Sequence, residues 1–83
     1  MNALHVFGSV DVLWTVRYSA DQNDRRPLTE LDHSVAPTLR QALELAQKLY
    51  TSGYVVYEIR QDETRTSLTR EDIEIRLGRP PAR

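Results

Sequence analysis

The sequence of 83 residues contains no cysteine, only three glycines and a single lysine, Lys48. Without cysteine the chain can form no disulfide and offers no thiolate ligand for a zinc site. Its longest apolar runs, such as Tyr54–Tyr57, are far shorter than the ~20 residues that a membrane-spanning helix needs. The glycines at 8, 53 and 78 are too far apart to form a phosphate-binding loop.

Neither sign of charge dominates, because 11 Lys+Arg face 12 Asp+Glu for a formal charge of -1. This balance argues against a strong field for nucleic acid or a membrane. Almost all of the basic residues are arginine, which reflects either the codon bias of a GC-rich genome or selection for guanidinium groups that bind phosphate or carboxylate. The arginines are scattered and most have an acidic neighbour, which favours the codon bias.

The length predicts one small domain over residues 1–78 with a thin core, followed by a flexible tail at 79–83. The amino-terminal stretch has no basic region and soon reaches Asp11, so we expect no signal peptide. Together with the lack of cysteine, this favours a cytoplasmic protein.

Four segments have the character of β-strands. The clearest is Val10–Ser19, in which Trp14, Val16 and Tyr18 share one face. A second clear strand is predicted at Tyr54–Gln61, with Val55, Tyr57 and Ile59 on one face and Val56 on the other. Weaker candidates are Leu28–Val35 and Thr64–Leu68, and Leu4–Phe7 could add a short strand at the start.

Two segments favour helices. Leu39–Thr51 carries an apolar stripe at helical spacing, a capping box formed by Thr38 and Gln41, and Gly53 as its stop. The segment 73–77 alternates as a strand would, but Thr69 can cap a helix, and Gly78 and Pro80 can end one. We therefore predict a short carboxy-terminal helix there, with a strand as the alternative.

The predicted fold class is α+β, in the order (β)ββαββα. A small, mostly antiparallel sheet of three or four strands would carry one main helix on one face and a short helix at the carboxyl end. The apolar stripes of the main helix and of the strands would then form a single core.

Residues capable of chemistry are few. Asp32, His33 and Ser34 are consecutive and cannot form a catalytic triad, because alternate side chains of an extended chain point to opposite sides. We expect His33 to be half-buried beside Leu31 and Val35. His5 with Asp32 and His33 falls short of a closed metal site. The acidic residues Glu71, Asp72 and Glu74 are expected to be solvated charges near a helix start. We expect no enzymatic activity, no metal and no cofactor.

The composition and pattern favour a protein–protein interaction or accessory module that can homodimerise. Leu13 and Val56 are predicted on the polar face of the sheet, with Tyr54 near the helix–strand corner, as an interaction surface. The alternative is a nucleic-acid-binding module that uses four arginines, Arg17, Arg25, Arg26 and Arg60. The acidic neighbours of these arginines weaken that alternative.

Overall fold

A computed structural model describes residues 13–78. Within them the elements are β1 (Trp14–Ser19), a 3₁₀ turn (Leu28–Glu30), β2 (Asp32–Ala36), α1 (Leu39–Thr51), β3 (Val55–Gln61), β4 (Thr66–Thr69) and α2 (Arg70–Arg76). The α+β class and the order ββαββα are confirmed. The predicted strand at 4–7, the start of the strand at 10–12 and the flexible tail at 79–83 lie outside the described residues.

The four strands form one antiparallel sheet in the order β2-β1-β3-β4. Val16 in the centre of β1 lies opposite Ser34 of β2 and Ile59 of β3. Since β2 and β3 are both antiparallel to β1, they run parallel to each other. Helix α1 connects them by crossing one face of the sheet.

Helix α1 occupies Leu39–Thr51, the segment predicted from its apolar stripe. At its start the Thr38 hydroxyl accepts a hydrogen bond from the Gln41 backbone N–H at 3.1 Å. The Gln41 side chain lies 3.3 Å from the Thr38 hydroxyl, so the reciprocal half of the predicted capping box is replaced by a side-chain contact. At its end Gly53 has φ +94°, and Tyr54 N–H donates to the Leu49 carbonyl, as in a Schellman motif.

Helix α2 settles the ambiguous carboxy-terminal segment as a helix. Thr69 and Asp72 form a complete capping box, with each side chain bonded to the other's backbone N–H. Ile73 is fully buried, whereas Ile75 is 69% exposed. The alternation of isoleucines that imitates a strand therefore places one isoleucine in the core and leaves the other in solvent.

Both helices pack on the same face of the sheet, and the core lies between the two layers. Its buried members come from every strand and from both helices: Val16, Ala36, Ala42, Ala46, Val56, Ile59, Leu68 and Ile73. Trp14 and Tyr18 pack against this cluster but are only partly buried. The predicted inward faces of β1 and α1 are confirmed.

The predicted outward position of Val56 is wrong. Val56 is fully buried in the core, as is Ile59 three residues later. The pairing of β1 with β3 shifts between Arg17 and Tyr18, so that Arg17 lies opposite Glu58 but Tyr18 lies opposite Val56. This β-bulge adds one residue to β3 and reverses the alternation of its side chains at Tyr57.

The predicted strand at Leu28–Val35 is partly wrong. Its first three residues form the 3₁₀ turn, and β2 itself spans Asp32–Ala36. Leu31 is buried, but His33 is exposed rather than half-buried, because it lies on the side of β2 that faces away from the helices.

Candidate interaction surface

One face of the sheet carries no helix among the described residues. The strand register aligns mostly polar side chains across it. One row consists of His33, Arg17, Glu58 and Thr69, and the next consists of the apolar Val35 followed by Thr15, Arg60 and Ser67. Leu28 and Thr29 of the 3₁₀ turn lie beside Arg17 and Arg60 and form one wall of a shallow groove of about 230 Å³. We call this side of the molecule the outer face.

The residues predicted as an interaction surface do not come together. Leu13 is 44% exposed and directly precedes β1, whereas Tyr54 lies beside the opposite end of that strand, where Ser19 pairs with Val55. Six residues of extended chain separate these ends by about 20 Å. Tyr54 packs edge-to-face on Tyr18, with ring centroids 5.4 Å apart, and Val56 lies in the core.

Two apolar features were not predicted from the sequence. Val35 on the outer face is 55% exposed. On the opposite side of the molecule, Leu39 and Leu43 of α1 and Leu77 after α2 line an open groove of about 510 Å³, whose other lining residues are Arg40, Glu44 and Gln47. We call this the helix groove. The sequence contains part of this signal, because Leu39 and Leu43 belong to the apolar stripe of α1. All three leucines pack against the core and are only partly buried, so that one side of each lines the groove.

Of the four arginines predicted to contact nucleic acid, two are paired with carboxylates. Arg26 contacts Asp24 through both Nε and Nη2, at 2.9 and 2.6 Å. Arg60 Nε lies 2.7 Å from Asp62. Arg17 faces Glu58 across the strands, and Arg25 is exposed on the loop. Arg17 and Arg60 share the outer face, whereas Arg25 and Arg26 lie on the loop after β1, so the four do not form one basic patch.

Asp24 organises the loop at 20–27. Its carboxylate accepts hydrogen bonds from Arg26 and from the Ser19 hydroxyl, the latter at 2.6 Å. These bonds hold the pKa of Asp24 well below its usual range, and the same pair raises the pKa of Arg26. The loop is therefore fixed by internal pairing, in which Arg26 compensates the charge of Asp24.

Tyr57 and Arg70 attach this loop to the rest of the domain. The Tyr57 hydroxyl donates to the Asp21 carbonyl at 2.6 Å and accepts from the Asp24 backbone N–H at 3.0 Å. Arg70 donates to the Gln22 carbonyl at 3.2 Å and lies 5.5 Å from the centre of the Tyr57 ring. The bulge in the β1–β3 pairing thus places Tyr57 against the loop.

Glu74 is a buried carboxylate with two side-chain partners. Arg70 Nε lies 3.0 Å from its Oε2, and the Tyr50 hydroxyl lies 3.2 Å from the same oxygen. Burial, followed by the charge of Glu74, raises the pKa of Tyr50 to about 12. The sequence predicts Glu74 as a solvated charge, and this is wrong because Glu74 lies next to the buried Ile73 on the inward side of α2, where Arg70 and Tyr50 bond to its carboxylate.

The other candidates for chemistry lie apart. His33 points away from the core, and Asp32 next to it belongs to the opposite side of the strand. Asp72 is used in the capping box and Glu71 is exposed. His5 lies outside the described residues. Within residues 13–78, no group of three histidine, aspartate or glutamate side chains is placed to hold a metal ion.

Comparison of the chain with protein-family models, with curated proteins and with solved structures finds no match. None of the helices in residues 13–78 is long and apolar enough to cross a membrane.

Proposed function

We propose that this protein is a non-enzymatic interaction module that acts in the cytoplasm and associates with itself. The observation that carries the proposal is the distribution of apolar and polar groups over the domain. Half-buried leucine side chains line the open helix groove, and Val35 and Leu13 are exposed, whereas the carboxylates of Asp24 and Glu74 are buried and paired with arginines of the same chain.

Uncovered apolar surface favours association, because burying it removes it from water at about 25 cal/mol per Å². A domain of this size has a small core, and self-association is a common way for such domains to gain stability. Carboxylates that are buried and paired in this way contribute little to capturing a substrate or a polyanion. These properties favour binding to a protein surface rather than catalysis of a reaction on a small-molecule substrate.

The test is sedimentation velocity of the purified protein over a concentration series from about 1 µM to about 500 µM. We expect a reversible increase in mass from one chain of 9.6 kDa toward two. A single species at the mass of one chain throughout the series would overturn the proposal of self-association.

The second candidate is nucleic-acid binding through Arg17, Arg25, Arg26 and Arg60. It is supported by the outer face, where Arg17 and Arg60 lie on neighbouring strands close to Thr15. Fluorescence anisotropy with labelled single-stranded and duplex oligonucleotides at about 150 mM salt tests it. Binding that is lost in the Arg17→Ala/Arg60→Ala double variant would make nucleic acid the better conclusion; no binding would leave the interaction module in place.

A further inference from the structure

We infer that the helix groove is the surface through which two copies of this chain associate, with α1 of one copy packed antiparallel on α1 of the other. This inference rests on the proposed function and specifies the surface that carries it. The occupant is a second copy, because the charged rim of the groove consists of Arg40 and Glu44. These two residues carry opposite charges and can pair with the same two residues of another copy.

The apolar centre of the groove comes from one stripe of α1. Leu39, Leu43 and Gln47 follow one another at intervals of four residues and therefore line one side of the helix. Leu77 lies beside them after the end of α2 and widens the apolar surface. The outer face, by contrast, is mostly polar at its centre and has its exposed apolar residues at the margins.

The charged rim lies next to this stripe. Arg40 and Glu44 are one turn apart on α1, with Arg40 Nε 3.5 Å from Glu44 Oε2, and both side chains are largely exposed. An exposed pair of this kind contributes little to the stability of one chain. Arg40 and Glu44 can therefore each exchange the partner in their own chain for the equivalent residue of a second chain.

A two-fold axis near Leu43 brings these groups together. Such an axis reverses the direction of the second helix and keeps Arg40 and Glu44 on the same side of the contact. The helix rises 1.5 Å per residue, so Arg40 of each copy then lies about 3 Å along the axis from Glu44 of the other. Two Arg–Glu pairs would flank a Leu43–Leu43 contact, and Leu39 of each copy would lie against Gln47 of the other.

The size of this contact predicts a weak dimer. Helix α1 has 13 residues and is about 20 Å long, so the interface falls at the small end of specific protein contacts, below about 1,200 Å² in total. We therefore expect association in the micromolar range or weaker, which the concentration series covers.

The experiment compares sedimentation velocity of the wild-type protein with that of three variants. Leu43→Glu places a charge at the centre of the contact and should weaken association about ten-fold or more. Arg40→Glu makes the rim entirely acidic and should weaken it several-fold without affecting the core, since Arg40 is exposed. Val35→Glu on the outer face is the matched control and should leave association unchanged. Thermal melts of dilute samples verify that each variant is folded.

Each result has one meaning. Weakening by Leu43→Glu and Arg40→Glu, with no effect of Val35→Glu, supports the helix groove as the interface. A wild-type dimer that Val35→Glu disrupts and Leu43→Glu does not would overturn this inference and leave the proposed function standing. A wild-type protein that stays at the mass of one chain throughout the series would overturn both the inference and the proposed function.

Discussion

The β-bulge in the pairing of β1 with β3 makes two valines on neighbouring parts of the sheet respond very differently to the same change. Val56 is fully buried in the core, and Val35 is 55% exposed on the outer face. Strict alternation along β3 would have placed Val56 on the outer face as well. Replacing each valine by alanine therefore tests the bulge directly, because the two substitutions remove the same atoms.

The magnitude follows from burial. Val56→Ala removes two buried methyl groups at about 0.8 kcal/mol each and leaves a small cavity, so we expect a loss of about 2–3 kcal/mol in the free energy of unfolding. Val35→Ala removes the same groups from a surface position and should cost about 0.5 kcal/mol. The weaker β-propensity of alanine affects both strands and largely cancels in the comparison.

The assay is urea denaturation of dilute protein, followed by far-UV circular dichroism and by the fluorescence of Trp14, the single tryptophan of the chain. Thermal denaturation of the same two variants gives a second readout. For a domain of this size, a difference of about 2 kcal/mol in the free energy of unfolding corresponds to roughly 8–16 °C in melting temperature. Equal destabilisation, or a larger loss in Val35→Ala, would refute the register shift and return Val56 to the outer face.

Three further predictions concern the polar groups and the turn after α1. Glu74→Gln should lower the free energy of unfolding by about 1–2 kcal/mol in urea denaturation, because it weakens the hydrogen bonds from Arg70 and Tyr50. Glu71→Gln on the exposed side of the same helix is the control. An equal loss of stability in Glu71→Gln would contradict the buried network around Glu74. The pKa of Tyr50 is raised in the folded state to about 12, so its contribution to the free energy of unfolding should be complete below pH 10 and lost between pH 10 and 12. Urea denaturation across this pH range should show a steeper loss of stability in the wild type than in Tyr50→Phe. Parallel plots of stability against pH for the two proteins would argue against the raised pKa. Gly53→Ala should cost about 1–2 kcal/mol because Gly53 has φ +94°, and a melting temperature as high as that of Ser52→Ala would show that the turn adopts another conformation.

The elements that could be predicted from the sequence are those whose signals are local. Thr38 and Gly53 mark the two ends of α1, and the apolar stripe between them identifies its inner side. Thr69 and Asp72 define the start of α2 in the same way, since a capping box depends only on residues three positions apart. The alternation in Trp14–Ser19 likewise identifies the inner face of β1.

The features that could not be predicted depend on contacts between distant segments. The bulge between β1 and β3 arises from how two strands align across about 40 residues, and no residue near Val56 signals it. Glu74 becomes buried because Arg70 and Tyr50 come together on it from different helices. The helix groove depends on where Leu77 lies relative to α1, which is set by the path of β4 and α2.

The central claim, that two copies associate through the self-complementary rim of the helix groove, is tested most directly by mixing two charge variants. Arg40→Glu makes the rim of one chain acidic, and Glu44→Arg makes the rim of the other basic, so each variant alone repels its own copy. We predict that each variant sediments as a single chain and that an equimolar mixture forms a one-to-one dimer. A mixture in which both variants remain single chains, at concentrations where the wild type dimerises, would contradict the claim.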